Sequence, residues 1–166
     1  MILGLSTATY AFVHVLISLV GIGSGFIVMF GLLTGKRLDR WTVTFLITTA
    51  LTSISGFFFP NDHVTPGIIL GIISLAVLAL AIPARYMFHL AGAWRSIYVI
   101  GAVLALYFNV FVLVAQCFEK IPALKALAPT QKEPPFLIAQ LLVLLLFATI
   151  TVFATVRFHP ERVRTA

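Results

Sequence analysis

The sequence predicts an all-α integral membrane protein, a bundle of five transmembrane helices. Three observations carry this. The 166 residues are 61% hydrophobic and 10% charged, with a mean hydropathy of +1.11, whereas a soluble domain is about 25% charged. The apolar residues fall in five runs, each long enough for a hydrocarbon core of about 30 Å. None of the runs alternates apolar and polar residues as barrel strands do, so in lipid their backbone groups must be satisfied within helices.

The runs lie at 9–33, 41–59, 67–86, 96–118 and 136–156, in a single domain spanning 1–166. Inside these limits there is no Asp, Glu or Lys, and the only Arg is Arg85. Lys36, Arg37 and Arg40 follow the first run. Arg85 and Arg95 bracket the turn after the third, and Arg157, Arg162 and Arg164 follow the fifth. Lys120, Lys125 and Lys132 stand at the opposite end, between the fourth and fifth runs. Excess Lys and Arg marks the cytoplasmic side, which predicts the N-terminus outside and the C-terminus inside. "MILGLSTATYAF" has neither a basic n-region nor a small-residue cleavage site, so the first span is expected to be retained.

The net charge of +6 therefore belongs at the headgroup level, where anionic lipid attracts it. Lys36, Arg37, Arg40, Arg85 and Arg95 are expected to be lipid-headgroup anchors, with Trp41 and Trp94 as interfacial aromatics. A nucleic-acid partner would require a basic face on a soluble domain. There is none.

One polar stretch interrupts the chain, "QCFEKIPALKALAPTQKEPPFLIAQ". It holds the outer loop, 119–135. Pro122 suits a first helical turn, and Ile121, Leu124 and Leu127 recur at threefold spacing before Pro129. That predicts a short interfacial helix, apolar side down. "PTQKEPP" is expected to follow as a stiff, extended strap. The loop would serve as a structured connector, a lid over the outer half of the bundle, or a docking surface.

Small and polar residues in lipid usually face other helices. His14, Ser18, Gly21 and Gly25 share one face of the first span, and Gly21 and Gly25 form a GxxxG pair. Thr44, Thr48, Thr52 and Ser55 line the second span; Gly67, Gly71 and Ser74 line the third. Tyr98, Ala102, Ala105, Asn109 and Gln116 line the fourth, while the fifth, with "LLVLLLF", should be the most lipid-exposed. His14, Ser18, Ser55, Asn109, Gln116 and Gln140, with Asp62 and His63 of "PNDHVTPG", are thus candidates for a pocket opening outward beneath the loop. Gln116 and Gln140 should both point inward, because an unpaired amide in lipid is costly. A neutral imidazole with amide partners suits a quinone carbonyl; the alternative is structural hydrogen bonding between helices.

Other chemistries fit less well. A b-type haem needs axial ligands at one depth, and His14 and His89 belong to opposite ends; no CxxCH is present. No catalytic residue and no metal site is assigned, since HExxH, GxSxG and phosphate-cradling loops are missing. The lone Cys117 packs as a small apolar side chain. Coupled transport usually uses buried charge and paired repeats, neither of which the chain displays. A passive channel or transporter would need oligomerisation.

The run "FHLAGAWRSIYVIGAVLALYFNVFVLVAQCFEKIPALKALAPTQKEPPFLIAQ" resembles small multi-pass inner-membrane (hypothetical) proteins of Gram-negative bacteria. The resemblance extends over roughly the whole chain. It implies a bacterial cytoplasmic membrane, with no established activity and no site residue to carry over. Two functions from different classes follow. One is a non-catalytic bundle, a homo-oligomer or a subunit of a larger membrane assembly, joined through the loop and the GxxxG face. The other is a binder of a small, quinone-like lipophilic ligand.

Overall fold

The structure, a computed structural model, describes residues 2, 4–60 and 65–159. Six helices follow in chain order: α1 Thr7–Leu33, α2 Asp39–Gly56, α3 Pro66–Tyr86, α4 Ala93–Lys120, α5 Pro122–Leu127 and α6 Pro134–Arg157. Local chemistry sets their starts. The Ser6 hydroxyl accepts from Thr9 N–H at the head of α1, and the Thr65 hydroxyl accepts from Ile68 N–H before α3. Proline occupies the first turn of α3, α5 and α6, where its missing N–H is no loss.

Four helices, α1, α3, α4 and α6, are long and apolar enough to cross a membrane. The second run differs. Asp39, Arg40, five threonines and two serines dilute the hydropathy of α2, and its helix ends at Gly56 rather than continuing through 57–59. Its polar side chains nevertheless face protein: Thr42, Thr49 and Ser53 are buried. Thr48 meets Gly21 of α1, and Ser53 O lies against Gly71 of α3. Val43, Ile47, Leu51 and Ile54 recur on the opposite side and are exposed. The helix is thus polar inside and apolar outside, the reverse of a soluble amphipathic helix. Several hydroxyls bond back to carbonyls one turn earlier, such as Thr44 to Arg40 O at 3.1 Å and Thr48 to Thr44 O at 2.7 Å, which satisfies them locally.

α4 is the hub, packing against α1, α2, α3, α5 and α6. Its buried face carries Tyr98, Val99, Ala102, Val103, Ala105, Leu106 and Val110. Small residues bring the backbones close: a Cβ on Gly101 would stand 2.9 Å from Ala81 Cβ of α3. One on Gly25 of α1 would stand 2.6 Å from Leu106 Cδ1. Gly21 and Gly25 therefore serve packing within the chain and are covered by α2 and α4. They form no self-association face. Among the spanning helices α6 has the smallest buried share, in line with its leucine run.

The outer loop contains the expected short helix, α5, with Leu124 partly buried and Ile121 and Leu127 exposed. The expected strap is instead a compact turn. Gln131 has a left-handed backbone, φ 57°, and its Nε2 donates to Ala115 O at 2.9 Å. The Glu133 carboxylate accepts from Thr130 Oγ1 at 2.8 Å and from the N–H groups of Thr130 and Lys132. Prolines at 129 and 134 suggested extension, but this side-chain acceptor bends the chain between them. Phe118, Ala128 and Phe136 close a small apolar cluster beneath, with the two rings edge to face at 5.4 Å.

The turn is expected to respond to pH. Desolvation raises the affinity of Glu133 for its proton, but the hydrogen bonds from Thr130 and the local backbone outweigh it and hold the carboxyl below its ordinary range. A depressed carboxylate contributes order above its unfolded pKa and loses it as pH falls through the folded one. In amide NMR, the Thr130 and Lys132 signals should keep hydrogen-bonded shifts at neutral pH. They should move together as the solution is acidified below the ordinary carboxylate range, and Glu133→Gln should show the moved shifts at every pH.

Candidate functional site

His14 lies two turns into α1, and Ser55 lies one residue from the end of the antiparallel α2, so the pair meets at one end of the bundle. His14 Nδ1 and Ser55 Oγ share a 2.8 Å hydrogen bond. Tyr10, one turn before His14, donates its hydroxyl to Ser55 O at 2.8 Å. Phe59 sets its ring edge to face against both Tyr10 and His14, each at 5.2 Å. Ser18 donates to His14 O at 2.7 Å. The Ser55 hydroxyl and the Phe59 ring orient the imidazole plane.

An open cleft of ≈ 250 Å³ runs beside it, lined by Tyr10, Val13, His14, Ile17, Leu51, Ile54, Ser55 and Phe58. The lining is almost wholly apolar, and among the described residues the second ring nitrogen of His14 has no hydrogen-bond partner. Ser55 has one proton to give. Donated to Thr52 O, 3.2 Å away, it leaves Nδ1 as the donor and Nε2 with a bare lone pair. Donated to Nδ1, it leaves Nε2–H as a donor. The same imidazole can thus meet either a carbonyl or a hydroxyl.

The other polar candidates do not converge here. Asn109 donates to Thr49 Oγ1 at 3.2 Å, a contact between α4 and α2. Gln140 is buried at 8% exposure and donates to Phe111 O at 3.1 Å, with its own Oε1 unpaired. Gln116 points the other way: it is exposed and reaches only Glu119, at 3.4 Å. The apolar cluster under the outer loop draws Val114, Ala115 and Phe118 inward, which turns the opposite face of α4, with Gln116 and Glu119, outward. Asp62 and His63 lie outside the described residues. The loop does not line the cleft, so it is no lid over His14.

The basic end also departs from expectation. Lys36, Arg37 and Arg40 are exposed, as is Trp41 at 47%. Arg85 is not a headgroup anchor: it is buried, 2% exposed, and forms an ion pair with Asp39. Its guanidinium lies 4.9 Å from the centroid of the fully buried Tyr98 ring. Nor does Arg95 extend freely, since its Nη1 donates to Phe158 O at 2.7 Å and Thr155 O at 3.2 Å. It thereby satisfies carbonyls at the C-terminal end of α6. Trp94 stacks on Phe88, 3.9 Å between centroids.

Tyr10, Phe58 and Phe59 were missed by reasoning from polar spacing alone. The one available signal was Tyr10 standing four residues before His14, on the same helical face. No family model matches the chain, and no curated protein or solved structure is similar to it.

Proposed function

We propose that this is a non-catalytic, five-span protein of a bacterial cytoplasmic membrane that binds a small lipophilic ligand of the quinone type between α1 and α2. The observation that carries the reading is His14: an imidazole oriented by Ser55, with its second nitrogen unpaired among the described residues, lining an apolar cleft. A polar group in that setting is costly without a partner, so an intramembrane imidazole points to function. A ligand carbonyl or hydroxyl supplies the partner, and its ring and tail fit the lining.

Crossing of the membrane by α2 is supported by its outward apolar face of Val43, Ile47, Leu51 and Ile54. Its 18 residues extend about 27 Å at 1.5 Å per residue, near the hydrocarbon thickness. With five spans, the basic ends of α1, α3 and α6 face the cytoplasm. Cysteine labelling from outside intact cells should reach position 132 and miss position 162; the reverse would refute this orientation.

Binding of a short-tailed quinone to the detergent-purified protein tests the ligand reading. His14→Leu should weaken it at least tenfold and Ser55→Ala about threefold, in line with a neutral hydrogen bond of roughly 1 kcal/mol. Gln116→Leu should leave it unchanged. Undiminished binding by His14→Leu would refute the site. Assembly with itself or a partner is the second reading, and the broad exposed face of α6, with Leu141, Leu145 and Val152, favours it.

A further inference from the structure

A second groove lies at the opposite end of α2, on the membrane-facing side between α2 and α3. It measures ≈ 240 Å³ and is lined by Val43, Leu46, Ile47, Ala50, Ile82 and Tyr86. The surface these side chains present to the groove is wholly apolar, Tyr86 included. Val43 to Ala50 covers about 10 Å along the helix, so the groove follows the direction of a lipid tail. Its upper end opens at the level where α2 begins and α3 stops.

Charge at that opening is lopsided. Arg40 stands one turn before Val43, on the adjoining face of α2, and is exposed. Lys36 and Arg37 precede it in the turn and are also exposed. Asp39 is the one carboxylate at this end among the described residues. It is already held between Arg85 and Arg37, the latter at 3.6 Å. The positive charge of Arg40 and Lys36 is therefore left unopposed at the mouth of an apolar groove. Neutral lipid would gain nothing from that arrangement, and a soluble anion would gain nothing from the groove.

We infer that this groove holds one anionic phospholipid, an acyl chain between α2 and α3 and its phosphate at Arg40 and Lys36. The inference uses residues separate from the His14 cleft, and either can fail without the other. Trp41, exposed in the first turn of α2 next to Arg40 in sequence, is the headgroup-level reporter, in a Trp94→Phe background.

The test is quenching of Trp41 by brominated phosphatidylglycerol, diluted into phosphatidylcholine vesicles, compared with brominated phosphatidylcholine. The expected preference for the anionic lipid is roughly fivefold per basic residue engaged. The double variant K36Q/R40Q should reduce it to near unity, and Ala50→Phe, which fills the groove, should lower quenching by both lipids. Added inorganic phosphate should leave the preference intact. Equal quenching by the two lipids would overturn the inference, and so would a preference that survives both variants. Loss of the preference to inorganic phosphate would likewise overturn it, by marking a free-anion site.

Discussion

Replacing Asp39 by Asn should destabilise the protein by about 3 kcal/mol, the low end of the range for removing one partner of a buried ion pair. Arg85 is the reason. Arg85 is 2% exposed, its Nε already lacks a partner, and among the described residues Asp39 is its only ion pair. The Asp39 side chain itself is 64% exposed, so water compensates part of the loss and the upper end of the range is not reached. The pair ties the first residue of α2 to the last turn of α3, 46 positions apart. Arg85→Lys should not substitute well, because a compact ammonium lacks the flat face that lies over Tyr98. Asp39→Asn combined with Arg85→Met should recover most of the stability, since an apolar replacement removes the uncompensated charge. Denaturation by SDS, followed by tryptophan fluorescence, measures all three. Unchanged stability of Asp39→Asn would show that the buried guanidinium is satisfied elsewhere.

Gly101→Ala should cost about 2 kcal/mol, a typical value for overpacking. The new methyl would lie 2.9 Å from Ala81 Cβ, and neither group has a torsion that relieves the clash. α3 and α4 must separate. Helix association in lipid relies on close packing rather than on the hydrophobic effect, so separation is felt along the interface. Gly23 is the control: a Cβ there meets nothing within 4 Å. Gly23→Ala should be neutral or stabilising by up to about 1 kcal/mol, as helix propensity dictates. Equal effects of the two substitutions in the same SDS assay would contradict the packing described.

Helix placement was legible because an apolar run long enough to cross a bilayer has few alternatives. Ends were less so. α4 begins at Ala93 and ends at Lys120, beyond the run of 96–118, because charged and polar residues at a lipid boundary do not stop a helix. Arg85 was misread for an instructive reason. A basic residue at the end of a span fits a headgroup anchor, and only its pairing with Asp39 across the bundle places it inside. Asp39 stands alone among basic residues at that end, which was the clue. Gln116 and Gln140 are the same side chain at similar depth. One faces out and one in, according to where the outer loop folds, and a tertiary choice of that kind leaves no local pattern. In α2 the spacing of Thr44, Thr48, Thr52 and Ser55 marked an inward face, and Thr48 and Ser55 meet α1. It overlooked Thr42, Thr49 and Ser53, because two polar faces on one helix blur the period. His14 and Ser55 were legible as polar groups at one depth, but the apolar cleft beside them was not.

The ligand reading rests on the His14 nitrogen that no described residue bonds, and nitrogen spectroscopy reads it directly. The protein is labelled with ¹⁵N at its histidines, reconstituted in lipid and titrated with a short-tailed quinone; the His14 signal is assigned by its loss in His14→Leu. The account predicts that the Nε2 resonance of His14 shifts on saturation while those of His89 and His159 stay in place. A His14 resonance that does not move when the quinone is in excess would contradict it.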